Sequence, residues 1–154
     1  MTPAEMAQLH RAEPTGQRAW SEAEFFAMLS ASNALSVTCD AGFAVGQVIL
    51  DEAELFLIMI KPEHRKQGFG HRILALFEQQ AFQNTVRRII LEVADTNAAA
   101  RALYFANGYQ QIAVRKNYYT FPNGSHGDAI VMEKYLQKKQ LKTQNKFPVF
   151  HRNS

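Results

Sequence analysis

The chain has 154 residues, enough for one domain with a buried core, and its hydrophobic (47%) and charged (20%) shares are ordinary for a globular protein. The longest apolar run, residues 55–60, is far shorter than the roughly 20 residues of a membrane-spanning helix. The polar, acidic N-terminus does not resemble a signal peptide. Cys39 is the only cysteine, so no internal disulfide can form, and we expect a cytoplasmic protein without a membrane partner.

Charge is distributed unevenly along the chain. Residues 1–133 hold all 14 carboxylates and 11 of the 17 Lys and Arg, a net charge of −3. Residues 134–154 carry six basic residues and no carboxylate. This pattern predicts a mildly acidic domain over 1–133 and a flexible basic tail over 134–154.

Capping boxes predict two N-terminal helices. Thr2-Pro3-Ala4-Glu5 combines a capping threonine, a proline at the first helical position and a glutamate three residues after the cap, which indicates a helix ending near Arg11. Ser21-Glu22-Ala23-Glu24 gives the same signal for a second helix. The residues between them, 13–18, are predicted to form a loop.

The rest of the pattern changes from hairpins to alternating strands and helices. Strands are predicted over 35–39, 43–50 and 54–60, with turns at 40–42 and 51–52. A helix over 68–82, a strand over 88–94, a helix over 97–106 and strands over 109–115 and 128–132 follow. The order α-α-β-β-β-α-β-α-β-β predicts a mixed α/β fold in which the helix over 68–82 joins two parallel strands.

Arg65-Lys66-Gln67-Gly68-Phe69-Gly70 is a candidate anion-binding loop between a predicted strand and a helix. The free N–H groups and the dipole at a helix start favour a phosphate, and glycine lets the backbone approach it closely. Neither Gly-Lys-Ser/Thr nor Gly-x-Gly-x-x-Gly is present, so the sequence matches neither a P-loop nor a dinucleotide-binding fingerprint. Taken alone, the two glycines are also compatible with tight packing between the helix and a strand.

Two ordered motifs carry a family resemblance. Residues 57–70 resemble the GNAT motif, a strand and x-Pro followed by Arg/Gln-x-x-Gly-x-Gly/Ala. Downstream, Asn97-x-x-Ala100-x-x-Leu103-Tyr104-x-x-x-Gly108-Tyr109 resembles the second GNAT signature. Further matches at 20–21, 51–55, 91–93, 115–119 and 128–132 are similar to the ribosomal-protein N-terminal alanine acetyltransferases (the RimI family). The resemblance implies the GNAT fold, a mixed central sheet with flanking helices and a splayed parallel strand pair.

The resemblance also implies acetyl-CoA as cosubstrate. If the strand over 54–60 splays from its neighbour, its backbone N–H groups are candidates to hold the thioester carbonyl. Asn97 is a natural N-cap for its helix, and a contact with acetyl-CoA is compatible with that role. The implied contacts with the cosubstrate are Ile58, Met59, Ile60, Arg65, Lys66, Gln67, Gly68, Phe69, Gly70, His71 and Asn97.

Two residues are candidates for proton transfer. Glu92 interrupts an apolar strand predicted to be buried on both faces, where a carboxylate is costly without a partner or a function. It is either paired with an arginine or a general base for the acceptor amine. Tyr104 is either a core aromatic or the donor of a proton to the departing thiolate. The resemblance assigns the catalytic roles, Glu92 as general base and Tyr104 as general acid.

The acceptor implied by the resemblance is the N-terminal α-amino group, that of alanine in the family pattern, of a small-subunit ribosomal protein. An α-amine has a pKa near 8, so an appreciable fraction is neutral at pH 7. Arg115, Asn117, Tyr118 and Tyr119 are candidates for binding the acceptor peptide, and Asp128 is either a helper or a turn residue. A lysine or small-amine acetyltransferase of the same fold and a non-catalytic acetyl-CoA-binding module are the alternatives.

Some features depart from the family pattern or lie outside it. Met59 stands where a small residue is usual, and Leu57 where a polar one is usual, which bears on the acceptor path. The histidines have no His-x-x-x-His spacing, so we expect no metal. The tail over 134–154 is either a solvated extension or a weak contact with RNA or the ribosome.

Overall fold

The computed structural model describes residues 1–13, 15 and 17–138. Within them no helix is long and apolar enough to cross a membrane. The predicted order of helices and strands is confirmed, with a single turn of 3-10 helix at Pro62–His64 added before the third helix. The elements are α1 Pro3–Ala12, α2 Glu22–Ser30, β1 Ala34–Cys39, β2 Gly42–Ile49, β3 Glu52–Ile60, α3 Phe69–Gln83, β4 Arg88–Ala94, α4 Ala98–Ala106, β5 Gln110–Thr120 and β6 His126–Tyr135.

The strands form one mixed sheet in the order β1-β2-β3-β4-β6-β5. Among the strands that the structure describes, only β3 and β4 are parallel, joined through α3 as predicted; every other neighbouring pair is antiparallel. One face of the sheet packs against α3, which contributes Ile73, Leu74 and Phe77 to the main core. The other face packs against α1 and α2, where Met6 and Phe25 are fully buried. The predicted α/β class is therefore confirmed.

A bulge interrupts the pairing of β2 with β3. Gly46 lies opposite Leu55, but the preceding residue of β2, Val45, lies opposite Leu57. Phe56 is therefore an extra residue on β3. A bulge of this kind bends the strand and increases its twist.

Glycine at position 46 permits the bulge, because a Cβ there would lie 2.1 Å from the carbonyl oxygen of Glu54. The extra residue inverts the alternation of side chains along β3. Before the bulge, Ala53 and Leu55 pack into the core beneath α3. After it, Leu57 and Met59 pack beneath α1 and α2.

Pairing between β3 and β4 ends at the same place. Residues 52–55 pair with residues 88–91, and no pairing between these two strands follows, although β3 continues to Ile60 and β4 to Ala94. We call the point where the strands separate, after Leu55 and Leu91, the fork. The predicted splay of the parallel pair is confirmed.

The last strand reaches further than the sequence indicated. β6 continues to Tyr135 and Leu136 is buried, whereas the prediction ended the strand at Met132 and began the tail at Lys134. Lys134 donates to both carboxylate oxygens of Glu78 in α3, at 3.1 and 2.9 Å. The hydroxyl of Tyr109 donates to the same carboxylate at 3.2 Å. Residues 139–154 of the predicted tail lie outside the described residues.

Removing one partner of this buried ion pair leaves an unpaired charge in the core. We expect Lys134→Met to lower the free energy of unfolding by about 3 kcal/mol, measured by urea denaturation. The double variant Lys134→Met, Glu78→Gln should recover most of that loss, since no buried charge remains. Lys116→Met is the control: its pair with Asp128 is exposed at the lysine end and is worth about 1 kcal/mol or less. Equal losses for Lys134 and Lys116 would contradict the structural role of the buried pair.

Candidate active site

A pocket of about 470 Å³ opens at the fork. Its walls come from the loop between α1 and α2, from β3 and β4 at the fork, and from the end of β5. Segments distant in sequence thus meet where two parallel strands separate, as is common for binding sites in α/β sheets. The lining residues are Gln17, Arg18, Trp20, Glu54, Leu55, Phe56, Glu92, Tyr118, Tyr119 and Thr120.

Glu92 is the first residue of β4 beyond the fork, and its side chain lines this pocket. Its carboxylate contacts the Arg115 guanidinium at 3.0 Å, and its side chain is 22% exposed. The prediction that β4 is buried on both faces was wrong. Ile89, Leu91 and Val93 are buried, but the alternate face carrying Glu92 is only half-buried, because the pocket lies over it.

A wide bulge in β5 shapes the opposite wall. Between Arg115 and Tyr119 the strand contains more residues than the facing part of β6, and Asn117 takes a positive φ of 52°. Asp128 accepts from the Asn117 backbone N–H at 2.9 Å and from Lys116 Nζ at 3.0 Å. These donors lower the pKa of the Asp128 carboxyl, that N–H most. The carboxylate therefore fixes the bulge.

The four predicted acceptor-binding residues have different positions on this wall. Tyr118 and Tyr119 line the pocket, with their rings edge to face at 5.2 Å. Arg115 bridges Glu92 and the Tyr118 ring, which its guanidinium covers at 5.4 Å. Asn117 lies in the bulge and is not among the lining residues. Burial is the main cause that raises the pKa of Tyr119.

Tyr104 lies in the core beneath α3 and is only 6% exposed. Its ring packs against Tyr109 with centroids 5.7 Å apart. Burial raises the pKa of the Tyr104 phenol far above its usual value, and the neighbouring Tyr119 adds to that. The phenol therefore stays protonated at neutral pH. The core-aromatic interpretation is correct as to packing, and a buried phenol can still donate a proton.

The start of α3 differs from the other helix starts. Side chains cap α1, α2 and α4, the last through Asn97 Oδ1, which accepts from the Ala100 N–H at 3.2 Å. Gly68, the residue before α3, has φ of 82°; among the described residues no side chain caps this helix start, and its first turn has no acidic residue. Lys66 also has a positive φ, 58°. Uncapped N–H groups at a helix start are a feature that favours an anion.

A Cβ at Gly70 would lie at an ordinary contact distance, 3.4 Å, from the Leu103 side chain, and a Cβ at Gly68 would meet no described atom within 4 Å, so tight packing requires neither glycine. Other predicted loop residues have contacts within the protein. Gln67 donates to the Glu63 carbonyl, His71 and Asn107 are hydrogen bonded at 2.8 Å, and the Phe69 ring meets His64 edge to face.

Arg65 connects the loop to two other segments. Its Nε donates to the Ile60 carbonyl at 3.2 Å, and its guanidinium meets the Glu13 carboxylate at 2.6 Å. Ile58 and Ile60 pack against the core beneath α3, whereas Met59 is buried beneath α1 and α2. The unusual bulk of Met59 therefore faces away from α3 and is absent from the pocket lining.

The sequence matches a known protein family. The sequence pattern of the acetyltransferase (GNAT) family matches residues 4–109. This chain belongs to the GNAT acetyltransferase family. The family resemblance predicted from the two motifs is confirmed.

Similar proteins in the family carry a more specific name. The [ribosomal protein bS18]-alanine N-acetyltransferase of Salmonella typhimurium is 39% identical over 117 residues, covering 73% of this chain and 78% of that protein. The same-named protein of Haemophilus ducreyi is 38% identical over 94 residues, covering 61% of this chain. There the chain spans 65% of the relative, a little under two thirds. The crystal structure of the ribosomal-protein-S18-alanine N-acetyltransferase from Escherichia coli superposes with a TM-score of 0.72, at 34% identity, covering 86% of this chain and 84% of that one.

The sequence did not single out several residues of the GNAT pocket. Gln17 and Arg18 lie in the loop before α2, and no local pattern marks them. The family matches at 20–21 and 51–55 contain Trp20 and Glu54, but no role in a pocket was predicted for either residue. Glu54 alternates with the buried Ala53 and Leu55, and that alternation is a detectable signal. Burial raises the pKa of the Glu54 carboxyl, and the negative Glu92 adds to this. Within the described residues no cluster of three or more His, Cys, Asp or Glu is able to hold a metal.

The pocket loop is held by a buried histidine in α1. His10 is 1% exposed, and its Nδ1 accepts from the Trp20 backbone N–H at 3.1 Å. Thr15 Oγ1 lies 3.4 Å from Nε2. An imidazole that accepts at Nδ1 must lack a proton there. Burial, assisted by Arg18, lowers the pKa of His10 below 6.5, which favours this neutral form.

This burial predicts a loss of stability in acid. The pKa of His10 is lower in the folded protein than in the unfolded chain, so its contribution is complete above the unfolded pKa of about 6.5 and is lost as pH falls through the folded pKa. We expect urea unfolding to show falling stability from about pH 7.5 to about pH 5.5. His10→Gln should flatten that dependence, whereas His126→Gln, at an exposed site, should retain it. An unchanged slope in His10→Gln would assign the acid sensitivity to other groups.

Proposed function

We propose that this chain transfers the acetyl group of acetyl-CoA to the α-amino group of an N-terminal alanine on a ribosomal protein. The observation that carries the proposal is the position of Glu92 in an open pocket at the fork of the parallel strands. The names of the relatives from Salmonella typhimurium and Haemophilus ducreyi support the acceptor.

The residues present fit acetyl-CoA. The uncapped start of α3 offers backbone N–H groups to a pyrophosphate, and the edge of β3 beyond the fork has no strand of the sheet between it and β4. When bound, acetyl-CoA supplies a thioester carbonyl and a thiolate leaving group. The residues proposed to hold it are Ile58, Met59, Ile60, Arg65, Lys66, Gln67, Gly68, Phe69, Gly70, His71 and Asn97.

Glu92 is proposed as the general base. Its carboxylate lines the pocket and is positioned by Arg115 at 3.0 Å, so it can accept a proton from an amine directly or through water. Tyr118 and Tyr119 form the wall against which an extended acceptor would lie.

Tyr104 is proposed as the general acid. Its burial keeps the phenol protonated at neutral pH, and it lies on the α3 side of the sheet, near Tyr119. A neutral phenol can stabilise negative charge developing on sulfur by hydrogen bonding and then give up its proton. A non-catalytic acetyl-CoA-binding module has no need of either proton-transfer residue.

Removing either group should slow turnover without loss of cosubstrate. We expect Glu92→Gln and Tyr104→Phe each to lower kcat by about 10²-fold or more, because each removes a proton-transfer group while keeping shape. Calorimetry should show acetyl-CoA binding retained in both. Tyr135→Phe, which removes an exposed phenol, is the control and should keep the wild-type rate. Wild-type rates in both variants would overturn the assignment.

The acceptor class is tested with paired peptides. We expect the protein to acetylate a short peptide with a free N-terminal alanine and to leave unchanged the same peptide with a blocked N-terminus and an internal lysine, as measured by mass spectrometry. Transfer to the blocked peptide would favour the lysine acetyltransferase alternative. Proteomic comparison of cells with and without the protein then identifies the natural acceptor.

Two further expectations go with the proposal. A cytoplasmic location and a weak contact of the basic tail with RNA or the ribosome both stay predictions. Because Lys134 belongs to the core, a truncation that tests the tail should begin at residue 139 and spare β6.

A further inference from the structure

The pocket contains a second carboxylate, Glu54. It lies opposite Ile90 in the last stretch of parallel pairing, and Glu92 is two residues further along β4. Residues two apart in a strand share a face, so Glu54 and Glu92 project to the same side of the sheet. Paired strands about 4.8 Å apart would place their Cα atoms roughly 8 Å from each other, and because the strands separate after Leu91 the distance is at least that. That separation leaves room for one amine between the carboxylates.

The charges around the two carboxylates are unequal. Glu92 is paired with Arg115, and Arg18, the arginine among the lining residues, donates from both guanidinium NH groups to Glu24. Among residues 1–13, 15 and 17–138, Glu54 makes no ion pair. Its neighbours are the Gln47 side chain and the charges of Glu92 and Arg115.

A half-buried carboxylate without a cation is costly unless a ligand supplies one. The pocket is open and is also lined by the neutral groups Tyr118, Tyr119 and Thr120, so a cationic ligand would meet Glu54 as its unpaired anion. The α-amino group of a peptide is mostly protonated at pH 7 and therefore arrives as an ammonium.

We propose that Glu54 binds the ammonium group of the acceptor and takes its first proton, an inference that rests on the proposed acetyl transfer. The nitrogen loses two protons when an ammonium becomes an amide. The first passes to Glu54 and frees the lone pair; the second leaves as the new N–C bond forms and passes to Glu92. One proton goes from Tyr104 to the departing sulfur, so the net release is one proton.

Because the two carboxylates accept different protons, Glu54 has its own effect on the pH dependence of kcat/KM. A site that binds the ammonium uses the form of the acceptor that dominates below about pH 8, so kcat/KM stays nearly level from about pH 6.5 to about pH 8. A site without that carboxylate uses only the neutral amine. Its kcat/KM then rises with the neutral fraction of the amine, by roughly 13-fold in total between pH 6.5 and pH 8.

The test uses Glu54→Gln, the full chain and a short peptide with a free N-terminal alanine. We expect the KM for the peptide to rise about tenfold or more and the level pH profile to become steep, with the KM for acetyl-CoA unchanged. Glu54→Asp should restore the level profile, because it keeps the charge. A level profile and wild-type peptide KM in Glu54→Gln would overturn the inference.

Glu52→Gln is the matched control. Glu52 lies on the same strand and face, but its carboxylate binds Arg88 at 3.0 Å outside the pocket lining. It should leave the peptide KM and the pH profile as in wild type. A steep profile in Glu52→Gln as well would show a general effect of lost negative charge and would overturn the specific role of Glu54.

Calorimetry of the peptide with the CoA-bound protein separates the two proposals, because it needs no turnover. Binding weakened by Glu54→Gln in a protein that transfers no acetyl group would support ammonium recognition while refuting the proposed function. Transfer by the wild type, with equal peptide affinity and equal profile in Glu54→Gln, would support the function and refute the role of Glu54. Thermal unfolding confirms that each variant is folded.

Discussion

The separation of β3 from β4 is the constraint on which the site depends. A parallel pair normally continues its ladder, so an early end leaves strand edges without partners. The extra residue Phe56 bends β3 at that point, and Gly46 on β2 tolerates the close backbone approach that follows. The same bulge turns Leu57 and Met59 toward α1 and α2, so one distortion both opens the sheet and supplies the second core.

Two separate hydrogen bonds hold the pocket walls around the fork in place. His10 holds the loop after α1 through the Trp20 N–H, and Asp128 holds the β5 bulge through the Asn117 N–H. In each case a side chain satisfies a backbone donor that no helix or strand ladder uses, which is how irregular segments become ordered. The pocket side chains in these two segments keep their positions because the backbone that carries them is fixed.

Local signals predicted most of the fold and the outline of the site. The capping boxes at Thr2 and Ser21 and the Asn97 cap formed as expected, because caps depend on neighbouring residues. The burial of β4 was mispredicted, because apolar composition does not show that a pocket covers one face. Glu54 was missed for the same reason: whether an alternating strand residue meets solvent or a second carboxylate depends on β4, which lies far along the chain.

An ion pair also links the loop after β3 to the end of α1. Arg65 begins the loop proposed to hold phosphate, and its partner Glu13 ends α1 just before the loop that contributes Gln17 and Trp20 to the pocket. Both side chains are partly exposed, so the pair is worth about 1 kcal/mol or less. A phosphate competing for Arg65 would therefore displace Glu13 at small cost. The ion pair thus joins the loop after β3 to the end of α1 by a contact that is weak enough to exchange.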